Sequence, residues 1–296
     1  MKGLVRTACF FALAALGSTA LHAQSPEWSQ PQKPFRIYGN TYYVGTQGLS
    51  AILIATPSGL VLIDGTLQRN VGQVEDNIKA LGFRVGDIKL ILNSHAHFDH
   101  AGAIAALAHD SGAKVMASAA GANALRLGGK DPGDPQYGEA SPFPPVAAVS
   151  VVADGGVVKV GDVALTAHYT PGHTPGSTTW TWQSCEAGRC EHMVYADSLG
   201  AFAADGFRFS DPAHPRRVAD YQRGIAVVAA LPCDILLSPH PDQSQLLERI
   251  AKRDAGATPN PLIDSGACRA YADAGKAKLA ARLAREQAEG AGRIEH

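Results

Sequence analysis

The chain has 296 residues, of which 46% are apolar and 18% are charged, and its formal net charge is −1. This length suits one large domain or two small ones, with enough apolar residues for a sizeable core. No internal apolar run is long enough to span a bilayer, and without a basic tract the sequence gives no indication of a nucleic-acid partner.

The N-terminal segment MKGLVRTACFFALAALGSTALHA is predicted to be a secretory signal peptide. Cations precede an apolar stretch and small residues follow it, which is the layout of such a signal. A membrane anchor is the alternative, but the apolar run is short and a cleavage site follows it. We therefore expect cleavage after Ala20 or Ala23. Residues 1–23 would be the signal, 24–296 the mature domain, and the periplasm the destination.

The elements after the signal form two series in which strands precede helices. The first series opens with four short strand patterns, FRIYG, TYYVG, SAILIAT and GLVLIDG, separated by turn residues. A helix follows in QRNVGQVEDNIKALG, where apolar residues recur at helical spacing. The series continues with a strand (IKLILNS), a helix (AGAIAALAHDSG), a strand (AKVMAS) and a helix (SAAGANALRLGG).

A segment dense in glycine and proline, GGKDPGDPQYGEASPFPPV at 128–146, separates the two series. Such a long irregular segment is often a functional loop, and a disordered insertion is the alternative. The second series has strands in VSVVADGG, VVKVGDVALTAHYT, STTWTWQSC and CEHMVYADS, then a helix in DYQRGIAVVAAL, a strand in DILLSPH and two terminal helices. Two such halves predict an α+β fold, an αββα sandwich with helices on the outer faces of two packed sheets.

The segment NSHAHFDHAG, residues 93–102, places three histidines and an aspartate within six positions behind a predicted strand. His95 and His97 are two residues apart, so in an extended segment both imidazoles point to one side and can bind one metal ion. Asp99 and His100 follow where the chain turns into a helix, and they can reach a second, neighbouring ion. Zinc suits imidazole ligands combined with some carboxylate.

Two distant histidines occupy comparable positions. His173 lies in the turn TPGHTPGS after one predicted strand, and His240 directly follows the strand DILLS. Ligands at separate strand ends can converge on one edge of a sandwich. The simplest partition places three ligands on each of two zinc ions: His95, His97 and His173 on one, and Asp99, His100 and His240 on the other.

Cysteine usage agrees with export. Cys9 leaves with the predicted signal, and the four that remain are Cys185, Cys190, Cys233 and Cys268. An even number in an exported chain indicates two disulfides, although four cysteines allow three pairings. Cys185 and Cys190 flank the predicted hairpin turn EAGR, which favours this pair and leaves Cys233 for Cys268. Buried free thiols, or a metal site at Cys185 and Cys190, are the alternatives.

The segments HAHFDHAG, GHTPGS and SPHP, in this order, resemble the motifs of the metallo-β-lactamase superfamily. YADSLG and LPCDILLSPHP look more specifically like the third subclass of the class B β-lactamases, which has a di-zinc site and no cysteine ligand. The resemblance implies an αββα sandwich of two mixed β-sheets and two Zn²⁺ ions held by the two ligand sets above. It also implies a hydrolase of cyclic amides that confers resistance to penicillins, cephalosporins and carbapenems.

The resemblance further implies roles for single residues. Asp99 would bind the second zinc and orient the attacking water, which makes it the expected catalytic residue. Ser198 stands where other subclasses have a cysteine ligand, and it is expected to contact the substrate carboxylate. Gly200 departs from relatives that carry a second serine at this position. Cys233 and Cys268 match the disulfide that is usual in the subclass.

Two other functions are compatible with the sequence. Lactonases and thioesterases of the superfamily use a bridging aspartate before a small hydroxyl residue, and ADSL offers Asp197 for that role. A non-catalytic periplasmic zinc-binding protein would use the same six ligands. The cysteine pattern, LPCDILLSPHP and export favour β-lactam hydrolysis. We expect a monomer that acts on a small-molecule substrate, without nucleic acid and without membrane contact once the signal is cleaved.

The surroundings of the expected cleft are less sharply defined by the sequence. The glycine- and proline-rich loop 128–146 is expected to border it. Three aromatic residues, Trp28, Tyr137 and Phe143, are predicted to supply apolar contacts to variable substrate groups.

Overall fold

A computed structural model describes residues 25–292, so the predicted signal peptide at 1–23 lies outside the described residues. The described chain contains two β-sheets. Strands of the first sheet are β1 Phe35–Tyr38, β2 Thr41–Tyr43, β3 Ile52–Thr56, β4 Gly59–Ile63, β5 Ile88–Leu92, β6 Lys114–Ala117 and β7 Val149–Val151. Those of the second are β8 Val157–Val160, β9 Val163–Tyr169, β10 Thr178–Glu186, β11 Arg189–Tyr195 and β12 Ile235–Leu237.

Both sheets are mixed. The first has the order β1-β2-β3-β4-β5-β6-β7, with antiparallel pairs from β1 to β4 and parallel pairs from β4 to β7. The second has the order β12-β11-β10-β9-β8, and only the β11–β12 pair is parallel. Parallel strands end at the same edge of a sheet, so the segments after β4, β5 and β6 all leave from one rim.

The helices of the described chain, with one exception, cover the outer faces of the sandwich. They are α1 Val71–Ala80, α2 Phe98–Ala101, α3 Ile104–Ser111, α4 Ala119–Arg126, α5 Arg216–Ala230, α6 Leu246–Asp254 and α7 Ala267–Gly292, and 3₁₀ turns occupy Pro26–Trp28, Gln68–Asn70 and Val85–Asp87. Buried residues of α1, α3 and α4 pack on the first sheet, and those of α5 and α7 pack on the second. The exception is α6, whose buried residues pack into the core between the sheets. No helix in the described range 25–292 has the length and apolar character required to cross a bilayer.

Alternating burial along the strands builds the layers. In β3, Ile52 and Ile54 face the core between the sheets, and Leu53 faces the helices. This follows from the period of two, because successive side chains of a strand point to opposite faces. The run IKLIL of β5 is almost continuously apolar since both of its faces are covered. Burial of each isoleucine or leucine side chain in these layers stabilises the fold by about 1.5–3 kcal/mol.

The predicted αββα sandwich is therefore confirmed, with one difference in how the strands are grouped. The strand in VSVV opens the second predicted series, but β7 pairs in parallel with β6 in the first sheet, with Val115 opposite Val149. Hydrophobic periodicity identifies a strand without identifying its neighbour, which explains the error. Two disulfides are present, Cys185–Cys190 across the β10–β11 hairpin and Cys233–Cys268 between the segment before β12 and α7.

Candidate metal centre

The ends of three strands bring the predicted ligands together. The segment carrying His95 to His100 follows β5, the turn with His173 follows β9, and His240 follows β12. These segments meet at one rim of the sandwich, where the six side chains form two clusters: His95, His97 and His173, and Asp99, His100 and His240. Within each cluster, one ligand atom from every member lies within 4.8 Å of the others. The partition predicted from the sequence matches this grouping.

The first cluster consists of three buried imidazoles arranged around a common point. The ring centroids of His95 and His97 are 4.8 Å apart, those of His95 and His173 4.7 Å, and those of His97 and His173 4.9 Å. The rings stand nearly perpendicular to one another, at 79–89°. Each ring therefore presents an edge nitrogen, and not its face, to the shared point.

A hydrogen bond on the far nitrogen fixes the orientation of each ring in the first cluster. The acceptors are Asp197 Oδ1 for His95 Nδ1 (2.7 Å), Asp134 Oδ2 for His97 Nε2 (3.0 Å), and the carbonyl oxygen of Gly200 for His173 Nδ1 (2.8 Å). A ring nitrogen that donates carries the proton, so the other nitrogen keeps its lone pair for a metal ion. His95 Nε2 is fully buried and has no hydrogen-bond partner, as expected for an atom that faces a cation.

The second cluster combines two imidazoles with one carboxylate. Asp99 Oδ2 lies 3.1 Å from His100 Nε2 and 3.4 Å from His240 Nε2, and the two nitrogens are 3.2 Å apart. Ligand atoms on a tetrahedral zinc at 2.0–2.1 Å are about 3.3 Å from one another. The carbonyl oxygen of Gly48 accepts a hydrogen bond from His240 Nδ1 at 3.2 Å, which leaves Nε2 free for a metal ion. The spacing of this triangle thus fits one zinc ion.

The electrostatics of His95, His173 and Asp99 favour metal binding, whereas at His97 and His240 burial is outweighed by neighbouring carboxylates, which raise the pKa of the ring. Burial, helped by neighbouring imidazoles, lowers the pKa of His95 well below its usual value and that of His173 to about 3. Both rings are therefore neutral at pH 7, which is the form that binds metal ions. Burial opposes ionisation of Asp99, but His100 and His240 outweigh it and hold the pKa of this carboxyl well below its usual range. Five imidazoles and one carboxylate are a donor set that suits zinc.

A buried network under the first cluster was not predicted from the sequence. Asp64, at the end of β4, is fully buried and accepts hydrogen bonds from Asn93 Nδ2, Ser94 N, Ser94 Oγ and Tyr195 Oη at 2.6–2.9 Å. These bonds tie the start of the ligand segment to both sheets. Burial raises the pKa of Asp64 to about 7. The available signal was the aspartate in GLVLIDG, which directly follows an apolar strand as His240 does.

The remaining predicted site residues lie in different surroundings. Ser198 is buried beside Asp197 at the rim. Asp197 donates no ligand atom to either cluster found among residues 25–292; it accepts from His95 on the ring nitrogen opposite the metal-facing one. Trp28 packs on His240, with ring centroids 5.5 Å apart. Phe143 is buried in the core under the first sheet, so the prediction that it contacts the substrate is wrong.

Asp134 is a second residue that the sequence did not reveal as functional. It lies in the loop 128–146 and reaches His97 with both carboxylate oxygens, at 3.0 and 3.2 Å. We expect Asp134→Asn to weaken zinc binding at the first cluster about 10- to 100-fold, because the ring loses the anionic partner that raises its basicity. Competition with a chromophoric chelator measures this affinity.

Asp131→Asn is the matched control for that measurement. Asp131 lies in the same loop but accepts from the backbone N–H of Gly133, at 2.9 Å, and from Asn123. Its replacement should leave zinc affinity unchanged. An Asp134→Asn protein that binds zinc as tightly as the unmodified protein would contradict the role given to Asp134.

Comparison with known proteins agrees with this geometry. Residues 44–186 match the metallo-beta-lactamase superfamily. Among solved structures, MEM-A1, a subclass B3 metallo-beta-lactamase from a soil metagenome library, is 53% identical with a TM-score of 0.86, covering 88% of this chain and 99% of that chain. SMB-1 in a complex with mercaptoacetic acid is 49% identical (TM-score 0.83, 88% and 99% covered). MIM-1 from Novosphingobium pentaromativorans is 45% identical (TM-score 0.84, 88% and 93% covered).

Identity near one half over nearly the full length of these relatives extends beyond the ligand motifs to the whole sandwich. The family resemblance inferred from the short motifs is thereby confirmed. The chain belongs to the metallo-β-lactamase superfamily and, with these structures, to its subclass B3.

Proposed function

We propose that this chain is a zinc-dependent β-lactamase, which hydrolyses the amide bond of β-lactam antibiotics and confers resistance to them. The observation that carries this conclusion is the convergence of two ligand triads, without cysteine, at one rim of a chain about half identical to subclass B3 metallo-β-lactamases. The solved relatives are named as metallo-β-lactamases, and this chain has the same fold over 88% of its length.

The residues fit two zinc ions, one on each triad. Zinc bound there supplies Lewis acidity for the lactam carbonyl and lowers the pKa of nearby water towards about 7. The buried imidazoles of the first triad exclude bulk water around the carbonyl and are held rigidly by Asp197, Asp134 and the backbone of Gly200. A preorganised site of this kind stabilises developing negative charge without rearranging during the reaction.

Asp99 is proposed to act on the attacking water. One of its carboxylate oxygens, Oδ2, belongs to the second triangle with His100 and His240. Its other oxygen accepts a hydrogen bond from the water, which aims the lone pair of the water oxygen at the carbonyl carbon. The same oxygen then holds the proton that the departing amide nitrogen receives. Ser198 is proposed to donate a hydrogen bond to the substrate carboxylate.

The setting of the enzyme follows from the same proposal. Removal of residues 1–23 would release a mature domain of 24–296 into the periplasm, where both disulfides persist in an oxidising environment. We propose that this domain acts as a monomer on a small-molecule substrate.

The lactonase and thioesterase alternative depends on Asp197 as a bridging metal ligand. The bond from His95 Nδ1 to Asp197 Oδ1 instead gives this carboxylate the supporting role. A purely metal-storing protein is expected to fill all four positions of a tetrahedral zinc, but each triad offers three ligand atoms and leaves one position open. Both observations favour β-lactam hydrolysis.

A direct assay tests the proposed function. The purified mature protein is incubated with a carbapenem, a thioester and a homoserine lactone, and each reaction is followed spectrophotometrically. We expect turnover of the carbapenem and none of the other two. Hydrolysis of the lactone or the thioester with an untouched carbapenem would overturn the proposal.

A further inference from the structure

An exposed aromatic ring lies beside the first ligand triad. Phe202 is in the segment between β11 and α5, and its side chain is 61% exposed, the largest fraction among the large apolar residues in the described part of the chain. Its ring centroid is only 6.3 Å from that of His173, at an interplanar angle of 85°. An aromatic side chain that remains in water next to a buried metal ligand has apolar surface available for a bound molecule.

The segment carrying Phe202 is held firmly in place. The backbone N–H of Ala204 donates to the carbonyl oxygen of Pro135 at 2.8 Å, which joins the segment to loop 128–146. Further along, Glu286 of α7 accepts from the N–H groups of Phe209 and Ser210, both at 2.9 Å. Burial opposes ionisation of Glu286, but these and other hydrogen bonds outweigh it and lower its pKa to about 2. The segment that carries Phe202 is thus anchored both to loop 128–146 and to α7.

Gly200 is the residue that makes room for this ring. A Cβ atom built on Gly200 would lie 2.5 Å from Cε2 and 2.8 Å from Cδ2 of Phe202, far inside van der Waals contact. The backbone of Gly200 is not in the left-handed region, so its conformation alone does not call for glycine. The ring of Phe202 instead occupies the position that any side chain of residue 200 would take, so a larger residue at 200 must displace this ring.

We infer that Phe202 is a specificity-determining residue, and that Gly200 permits its position. The inference rests on the proposed function. With the lactam carbonyl at the first triad, the carbon next to the carbonyl carries the acylamino group, and the inference places this group on the side of the triad where His173 and Phe202 lie. An aromatic acyl group there can pack on Phe202, because aromatic pairs are favourable at centroid distances of about 4.5–7 Å. The ring would thus favour substrates with aryl acyl side chains.

A matched pair of penicillins tests the inference. They share one nucleus and carry either a phenylacetyl or an acetyl side chain, and the measured quantity is the ratio of their kcat/KM values. We expect Phe202→Ala to lower this ratio about fivefold through a higher KM for the phenylacetyl compound, a loss of the size given by one aromatic pair. Val157→Ala, which truncates an apolar residue on β8 that is 52% exposed, should leave the ratio unchanged.

Gly200→Ser provides the second, independent arm. The serine should displace the ring of Phe202, because a side chain yields more readily than backbone, and so lower the same ratio. A ratio cancels any uniform loss of activity caused by a shift of the Gly200 carbonyl that holds His173. In the double variant Gly200→Ser with Phe202→Ala, the serine should add nothing further to the loss, since the two changes act through one ring.

The outcomes separate this inference from the proposed function. A ratio unaffected by Phe202→Ala overturns the inference while leaving β-lactam hydrolysis intact. The inference is also overturned if Gly200→Ser lowers the ratio as strongly in the Phe202→Ala background as it does in the unmodified protein. If the unmodified protein hydrolyses neither penicillin nor any other β-lactam, the proposed function itself fails.

Discussion

Removal of the bound metal is expected to abolish β-lactam hydrolysis completely and to lower the melting temperature of the protein. Without cations, the rim holds five imidazoles and a carboxylate in a largely buried cluster, with His95 Nε2 left unpaired. A ligand present at about 1,000 times its Kd stabilises a folded protein by about 4 kcal/mol, so its loss should be visible in thermal unfolding. Dialysis against a chelator, followed by turnover and melting measurements, checks both expectations.

Reconstitution controls make that experiment specific. Dialysis against a chelator already saturated with zinc should leave activity and melting temperature unchanged. Added zinc should restore both quantities to the metal-free protein. Added Mg²⁺ should restore neither, because this hard cation prefers oxygen ligands and octahedral geometry. Hydrolysis that survives in protein shown by elemental analysis to be free of metal would contradict zinc dependence.

The six expected ligands were readable from the sequence because each follows an apolar strand. His95 and His97 share one side of an extended segment, and His173 and His240 come after β9 and β12. Strand ends in a sandwich gather at its rims. Local patterns therefore predict the convergence of residues that are far apart in the chain, such as His100 and His240, which are 140 positions apart. Imidazoles combined with a carboxylate then favour a metal such as zinc.

Partners that lack a local pattern could not be predicted. Asp134 lies in an irregular loop, where no periodicity tells which side chain turns inward, and only the fold brings it to His97. Phe143 in the same loop is buried although aromatic residues in loops are often exposed. The pairing of β7 with β6 is likewise determined by tertiary contacts and not by a local sequence pattern. The sequence thus specified the ligands of the site more fully than the residues that hold those ligands in position.

The overlap between the ring of Phe202 and the position of a side chain at residue 200 also could not be predicted from the sequence. The absence of a serine at position 200 is visible in the sequence, but the steric overlap at this position is not. Only coordinates reveal that a ring two residues later fills the space of the missing side chain. A glycine can therefore alter substrate contacts without contacting the variable substrate group itself, by leaving space for a neighbouring ring that does.

Asp99→Asn is expected to reduce kcat at least about 100-fold, even with zinc in excess. The substitution keeps the size of the side chain but removes its negative charge, which both binds the second ion and receives the proton of the attacking water. Asn is a poor zinc ligand, so the second triangle of His100 and His240 should lose its metal while the first triad keeps one. Steady-state kinetics and the zinc content per chain measure the two effects separately.

Asp76→Asn is the control for this substitution, because Asp76 is an exposed aspartate on α1 that pairs with Lys79 and belongs to neither ligand triad. It should retain full activity and both metal ions. In Asp99→Asn, a kcat equal to that of the unmodified protein would exclude Asp99 from the reaction. A low kcat with two ions still bound would locate its contribution in the orientation of water, and a low kcat with a single ion would locate it in metal binding. Both results would show that hydrolysis requires Asp99, because in either case the second triad supports the reaction only when its one carboxylate is present.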